Sequence, residues 1–224
     1  MRLSEKTTKI LQNFTSINQS LHFKEGNTLR TISVMKNVLA EAEIEEYIPR
    51  EFAIYDLPQF LNTLSLTNAA SIDVTTDHSH ALIRGNASNK TKFFFCDPSV
   101  IVAPPEKQMT LPSVDVEFML GEQDLRSLLK ASSIMQLPDL SVVGNGSTVE
   151  VVVSDRKNDT SNEFNLTVGQ TESTFSFNFK IENIKTLIGG YHVSISKKNL
   201  AKFYSSAYKL TYFIALEPDS TFDE

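Results

Sequence analysis

The chain has 224 residues, a net charge of −6 and a composition that is 41% hydrophobic and 21% charged. This length suits two domains, and the composition excludes a disordered chain. No stretch approaches the ~18 apolar residues that a membrane helix needs, and the acidic balance argues against a protein that grips nucleic acid over its whole surface. The single cysteine, Cys96, fits a reducing compartment, so we expect a folded cytoplasmic protein.

The first half of the chain predicts two helices and several strands. A short amphipathic helix lies between Leu3 and Ile17, with Ser4 as its N-cap. A strand at 52–55 precedes a second helix from Leu57 to about Leu66, whose second residue, a proline, suits a first helical turn. The acidic stretch 41–46 predicts a solvated loop or edge strand, and 91–95 predicts a strand with three consecutive Phe residues.

A proline-rich segment divides the chain almost in half. Proline lacks an amide donor and biases the preceding residue toward extended structure, so this segment predicts an interdomain connector. We therefore expect an N-terminal domain at 1–96, a connector at 97–112 and a C-terminal domain at 113–224. The prolines concerned are Pro98, Pro104, Pro105 and Pro112.

The second half repeats this pattern. A helix is predicted at 120–134, and another runs from Ile181 to Ile188, with Gly189 and Gly190 as its stop. Period-two alternation predicts strands elsewhere. Many antiparallel strands with two helices per half predict an α+β fold. The predicted strands cover 149–151, 164–168, 175–179, 192–196 and 208–216.

The two predicted N-terminal helices of the halves align at a fixed offset of 117 residues. Six positions meet an identical or like-charged partner, which indicates an internal duplication. The matching pairs are Leu3 and Leu120, Glu5 and Glu122, Lys9 and Arg126, Leu11 and Leu128, Ser16 and Ser133, and Ile17 and Ile134.

Catalytic and metal-binding patterns are weak. The segment 78–80 contains two histidines, but no Cys or acidic cluster accompanies it, and a polar turn explains it better. Gly144, Asn145 and Gly146 lack the Lys and Ser/Thr of a phosphate loop and predict a hairpin turn. We expect no enzyme, no cofactor and no metal.

Several stretches, at similar spacing along nearly the whole chain, resemble the sliding clamps, or polymerase processivity factors, of T-even-type bacteriophages. No single motif carries the resemblance, which lies in the order of the stretches and in total length. They are residues 3–18, 53–66, 97–104, 175–179 and 215–221.

The resemblance implies two similar clamp-type domains, each with two helices packed on antiparallel sheets. Three subunits would close into a ring around duplex DNA, with helices lining the hole, and would tether the replicative DNA polymerase to it. It also implies an ATP-dependent clamp loader as a partner, and it places the protein in the cytoplasm of an infected bacterial host. Transcription factors are further candidate partners.

Cations on the predicted helices are the candidate DNA contacts, because sequence-blind attraction to phosphates needs only a few of them. The alternative is that they form the ordinary solvated side of amphipathic helices. Repetition in both halves favours the DNA-facing interpretation, whereas Gln59 and Asn62 of the second helix are uncharged and weaken it. The candidates are Lys6, Lys9, Arg126, Lys130, Lys180 and Lys185.

The resemblance also implies two protein contacts. An apolar pocket beside the connector, lined by Val100, Ile101, Val102, Leu216 and Pro218, would take a partner's terminal peptide. The alternative is ordinary packing of a linker. The subunit contact would pair the strand containing Phe93, Phe94 and Phe95 with the strand containing Phe164 and Leu166 of the next copy, although three consecutive Phe residues also suit a buried strand.

Two other functions compete with a clamp. One is a β-rich structural viral ring or assembly protein without DNA contact. The other is a single-strand binder, which should interleave exposed aromatic residues with a basic groove. The Phe residues of this sequence occupy core-like strand positions, so the second alternative is disfavoured.

Overall fold

Two compact units make up the computed structural model, which describes residues 1–66, 71–75, 79–85 and 89–223. The first unit comprises Met1–Lys107 with Ala207–Leu210, and the second comprises Gln108–Ser206 with Thr211–Glu224. The boundary at residue 107 lies inside the predicted connector 97–112.

The first unit contains two helices and seven strands among its described residues. Strand β1 pairs with β4, β2 pairs with β3, and β5, β6 and β7 form a three-stranded sheet, all antiparallel. Their bounds are α1 (Glu5–Phe14), β1 (Leu21–Phe23), β2 (Gly26–Ile32), β3 (Val38–Ile48), β4 (Phe52–Ile54), α2 (Leu57–Leu66), β5 (Ser71–Val74), β6 (His80–Arg84) and β7 (Lys90–Phe94).

Aromatic rings fill much of the core of the first unit. Phe52 stacks on Phe23 at 4.5 Å and on Phe95 at 4.6 Å between ring centroids, and Phe60 of α2 meets Phe93 edge-on at 5.1 Å. Such pairs add to the free energy gained by burial, so α2, β1, β4 and β7 are held by one cluster.

Among its described residues, the second unit contains two helices and nine strands. One sheet has the order β11-β10-β9-β12-β16, the strands β15, β14, β13 and β8 are neighbours in that order, and α3 lies against β10 and β11. The bounds are β8 (Val116–Leu120), α3 (Glu122–Met135), β9 (Asp139–Asn145), β10 (Thr148–Ser154), β11 (Phe164–Gln170), β12 (Thr174–Lys180), α4 (Ile181–Ile184), β13 (Tyr191–Ser196), β14 (Leu200–Ser205), β15 (Leu210–Ala215) and β16 (Thr221–Asp223).

Most predicted elements are confirmed. Helix α2 has the predicted bounds, and the predicted strands overlap β4, β7, β10, β11, β12, β13 and β15. The first residues of α1 and α3, Glu5 and Glu122, are separated by the predicted offset of 117. Ser4 caps α1, because its hydroxyl accepts a hydrogen bond from the Thr7 amide at 3.2 Å.

The predicted helix 181–188 begins at Ile181 as expected, but its predicted end is wrong, because α4 ends at Ile184. The Leu187 amide donates to the Ile184 carbonyl at 3.0 Å, and the Ile188 amide donates to the Tyr191 hydroxyl at 2.8 Å. Tyr191 is fully buried. Its hydroxyl takes the place of the main-chain carbonyl that would accept from the Ile188 amide in a helix, and the chain leaves the helix and enters β13.

Candidate nucleic-acid interface and partner surfaces

The solvent face of α1 carries the first two candidate cations. Ile10, Leu11 and Phe14 are fully buried on the opposite face, so the amphipathic pattern orients the helix. Lys9 is exposed and Lys6 is half-buried. Neither has a carboxylate ion pair among the described residues, so both charges are available to a ligand.

Helix α3 presents Arg126 and Lys130 in the same way, with Leu125 and Leu128 buried beneath. Arg126 forms an ion pair with Glu122 one turn earlier. The carboxylate partly neutralises the positive charge that Arg126 presents to a ligand. Within the described part of the chain, Lys130 has no such partner.

The two candidates near α4 lie in different environments. Lys180 Nζ is 2.5 Å from Asp139 Oδ1, and Asp139 is only 2% exposed. The hydrogen bond to Asp139 raises the pKa of Lys180, which therefore stays charged. Lys185, the C-cap of α4, is exposed.

Strand register separates Lys180 from the cations of α3. Lys180 lies opposite Asp139, and Asp139 lies opposite the half-exposed Ser154, so all three share one face of the sheet. The buried residues Val151 and Val153 alternate onto the other face, against which α3 packs. The buried ion pair thus gives Lys180 a structural role, and the structure does not bring it together with Lys130.

Helix α2 adds no cation to the helical surfaces of the first unit. Its exposed side is lined by Asp56, Gln59, Asn62 and Thr63 around an open depression. This agrees with the uncharged pattern that the sequence indicates for this helix.

Polar side chains of the first unit bind the connector. Asn18 Nδ2 donates to the Val102 carbonyl at 3.0 Å, Arg30 Nη1 donates to the Pro105 carbonyl at 2.8 Å, and Lys24 Nζ pairs with Glu106 at 2.6 Å. Asn18 is buried, so its hydrogen bond fixes the path of the connector.

The three apolar connector candidates differ in exposure. Val100 ends a short 3-10 turn, Pro98–Val100, and is 59% exposed. Ile101 and Val102 are half-buried. Of these three residues, Val100 therefore offers the most apolar surface to a partner.

A cleft of about 210 Å³ lies beside the connector in the first unit. Sequence reasoning missed it, because its walls come from residues some 80 positions apart, and no local pattern links them. Its lining residues are His22, Lys24, Glu25, Thr28, Arg30, Ala103 and Pro104.

The tail candidates, Leu216 and Pro218, belong to the second unit. Leu216 is only 6% exposed and fills the core, whereas Pro218 is exposed. Arg156 forms two hydrogen bonds with the carboxylate of Asp219, at 2.6 and 3.2 Å, and lowers the pKa of that carboxyl. Buried Asn178 binds the same tail through the Asp219 carbonyl.

Four of the five subunit-contact candidates lie on two edge strands, and Phe95 directly follows β7. Among the described residues, β7 is paired only with β6, and β11 only with β10, so each strand has an open edge. Phe93 and Phe95 pack inward, while Phe94 is 65% exposed. Phe164 and Leu166 are half-buried. The prediction that the Phe residues all occupy core-like positions is wrong for Phe94, because strand alternation turns it outward.

The polar residues weighed as catalytic or metal sites are dispersed. His78 lies outside the described residues, and His80 contacts Ser79 and the ring of Phe94. Across the described ranges, no group of three His, Cys, Asp or Glu side chains could hold a metal ion. Burial raises the pKa of Cys96, which disfavours a reactive thiolate.

Comparisons with known proteins identify the family. Residues 3–103 match the family model described as DNA polymerase processivity factor, and residues 117–218 match the one described as gp45 sliding clamp, C terminal. The sliding clamp of Vibrio phage KVP40 is 30% identical over 223 residues, which cover 97% of this chain and 99% of that protein. The chain belongs to the sliding clamp family.

Other relatives and solved structures agree with this assignment. The sliding clamps of Enterobacteria phage T4 and Escherichia phage RB69 are each 32% identical, over the full length of both chains. Proliferating cell nuclear antigen from Entamoeba histolytica superposes with a TM-score of 0.70 at 13% identity, covering 96% of this clamp and 97% of that chain. The protein of the same name from Thermococcus kodakaraensis has a TM-score of 0.68 at 14% identity, covering 96% and 98%.

These matches confirm the predicted α+β clamp fold with two similar domains. They also favour a processivity factor over a structural viral ring. Within the residues that the structure describes, none of the clamp's helices combines the length and the apolar character that crossing a membrane requires.

Proposed function

We propose that this sliding clamp assembles as a closed homotrimeric ring, encircles double-stranded DNA and tethers the replicative DNA polymerase to it. The observation that carries the proposal is the repetition of one cationic helix. Lys9 of α1 and Arg126 of α3 occupy equivalent positions, 117 residues apart, and both are exposed opposite a buried apolar face. A trimer would present six copies of this helix to a shared hole.

Persistence on DNA then comes from threading, and affinity for phosphates can stay low. The cations we assign to the DNA-facing surface are Lys6, Lys9, Arg126, Lys130 and Lys185. We leave out Lys180 because buried Asp139 holds it. Few contacts allow the duplex to slide, since each neutralised phosphate adds to the free energy of binding.

The two open edge strands support the proposed ring closure. We assign the subunit contact to β7 of one copy and β11 of the next, which would continue one sheet across the boundary. This contact is head-to-tail, so an open chain of subunits has one unpaired β7 at one end and one unpaired β11 at the other. Closing the ring pairs these two strands. Half-buried Phe164 and Leu166 would be covered further.

The polymerase contact is assigned to the surface beside the connector. Exposed Val100, the half-buried Ile101 and Val102, and the adjoining cleft offer apolar surface with polar groups at its rim. A terminal peptide of the polymerase would bind there, because an extended segment can place alternate side chains in such a groove. In the second unit, the tail candidate Pro218 is exposed and Leu216 is buried.

The remaining partners follow from a closed ring. Opening it around DNA requires an ATP-dependent clamp loader, and the host cytoplasm is where replication of a phage genome would take place. Transcription factors could use the same outer surface as the polymerase.

The decisive test is processive synthesis on primed circular DNA. Replacing Lys9, Arg126, Lys130 and Lys185 by Gln removes phosphate contacts, so we expect at least roughly tenfold less clamp on the circle at physiological salt. A control variant replaces the exposed Lys157 and Lys198 by Gln, and its loading should equal that of the wild type.

Topology gives a second arm of this test. The wild-type clamp should stay on circular DNA and leave linear DNA through its free ends. Equal retention on both would contradict threading, and a monomer at micromolar concentration would contradict the ring. Normal loading of the Gln variant with an intact trimer would contradict the DNA-facing residues.

A further inference from the structure

The sheet of β5, β6 and β7 has a cationic outer face that the proposed ring does not use. Its inner face carries Ile72, Ala81 and Ile83, which are at most 2% exposed. Alternation along the strands therefore turns a second set of side chains outward. That set is Ser71, Asp73, His80, Leu82, Arg84, Lys90, Lys92 and Phe94.

Register concentrates positive charge on this face. Arg84 lies directly opposite Lys90, and Lys92 lies two residues further along β7. Asp73 is the one carboxylate of the described strands there, and it forms an ion pair with Arg84. Neither Lys90 nor Lys92 has a carboxylate ion pair among the described residues.

This arrangement is costly for folding alone. Like charges directly opposite on neighbouring strands destabilise a sheet, and the clamp as a whole is acidic, with a net charge of −6. An acidic residue in place of Arg84 or of Lys90 would remove the repulsion between these two positions. A ligand with negative charge offsets this cost.

An exposed aromatic ring stands beside the cations. Phe94 is 65% exposed, the ammonium group of Lys92 is 5.5 Å from its ring centroid, and the ring of His80 is also 5.5 Å away. A large apolar ring kept in solvent beside a lysine ammonium group suits a planar ligand that stacks and carries negative charge. Nucleic-acid bases and phosphates have this combination, whereas the carboxylates of an acidic peptide would use only the cations.

We propose that this outer face binds single-stranded nucleic acid, with a base stacked on Phe94 and phosphates near Lys90, Lys92 and Arg84. Phe94 points perpendicular to the open main-chain edge of β7, so a strand added at that edge leaves room over the face. The face would hold a single strand on the outside of the clamp while the duplex passes through it.

The test is fluorescence anisotropy of the full-length clamp with a labelled oligothymidylate of about 8 nucleotides, within the site size of a single-strand groove. Three phosphate contacts predict a slope of log affinity against log salt of about −2. Replacing Lys90 and Lys92 by Gln should reduce this slope by about 1.4 units.

Variants of Phe94 separate stacking from charge. Phe94→Leu keeps an apolar side chain but removes the aromatic face, so affinity should fall about tenfold with an unchanged salt slope. Phe94→Tyr should bind as tightly as the wild type. Sedimentation of each variant checks that assembly is the same as in the wild type.

Two controls locate the site. The Lys157→Gln, Lys198→Gln variant matches the change in net charge, and the Lys9→Gln, Arg126→Gln variant changes the proposed duplex-facing helices. Both should bind the oligonucleotide like the wild type. Loss of binding in the second control would overturn the outer-face site in favour of the helices.

Three other outcomes also overturn the proposal. One is no detectable binding at low salt. Another is equal affinity of the Phe94→Leu and Phe94→Tyr variants. The last is equal competition by polyglutamate, which would identify the face as a docking surface for acidic protein segments.

Discussion

Helices α1 and α3 occupy equivalent places in the two units, yet they are anchored by different groups. The hydroxyl of Ser4 caps α1, and Glu46 of β3 accepts hydrogen bonds from the Ser4 amide and the Thr7 hydroxyl. The N-cap of α3 is Gly121, which has no side-chain hydrogen bond, and Asp124 lies where a Cβ on this glycine would point. A duplicated helix can thus keep one surface cation, Lys9 or Arg126, while its N-terminal support changes.

The core contacts of the two helices differ too. Phe14, fully buried on α1, is equivalent to Ala131, which is half-buried on α3. Leu11 and Leu128 are equivalent and both fully buried. The repeated leucine preserves one contact with the core, and the neighbouring position adapts to the space in each unit.

Phe14 gives the largest expected effect. Replacing it by Ala should lower the free energy of unfolding by about 3–5 kcal/mol, because a buried ring leaves a cavity. The change Ala131→Gly at the equivalent position should cost only about 1 kcal/mol, from helix propensity. Urea titration followed by circular dichroism measures both, and equal losses would contradict the difference in packing.

The N-cap gives a smaller effect. Ser4→Ala should lower the free energy of unfolding by about 1 kcal/mol, because the Thr7 amide loses its partner. Ser4→Gly, which gives α1 the cap residue of α3, should lower the free energy of unfolding by only about 0.3 kcal/mol. Hydrogen exchange at the Thr7 amide reports the local loss, and equal exchange in wild type and Ser4→Ala would show that another group carries the cap.

The pH dependence of Glu46 gives the smallest effect. Partial burial raises the pKa of Glu46, but hydrogen bonds from Thr7 and Ser4 outweigh it and leave the pKa below its usual value. A lowered folded-state pKa adds stability above the unfolded-state pKa, and this stability is lost as the pH falls through the folded-state pKa. The Glu46→Gln variant should therefore lose less stability than the wild type between about pH 5 and pH 3.

This pH effect should be confined to α1. Acid titration of stability, with hydrogen exchange resolving the two helices, measures it. If the stability of the wild type and of Glu46→Gln falls in parallel as the pH is lowered, Glu46 does not stabilise α1.

Local pattern was enough to predict helices α1 and α3 and their repetition. Apolar spacing and Ser4 located α1, and the offset of 117 carried that prediction to α3. Local pattern failed for the segment after Ile184, because the buried Tyr191 hydroxyl competes for its main-chain groups, and such a partner cannot be read from spacing. The comparisons with relatives confirmed the family that the ordered stretches suggested.

The candidate site shows the same limit. The exposure of Lys9 and Lys130 follows from helix periodicity. The ion pair between Lys180 and Asp139, the cleft beside the connector and the exposure of Phe94 required strand register or distant residues. A run of three Phe residues does not reveal which of them faces solvent, because either alternation fits the sequence.

The sequence by itself determined the duplicated helices, the strand-rich halves and the proline-rich connector, because these depend on the periodicity and backbone preferences of neighbouring residues. Only the tertiary structure decided which cations are free, which strand edges are open and where the cationic face with Phe94 lies. Those properties arise when residues far apart in the chain bring their charges and apolar surfaces together, and local preference does not encode them.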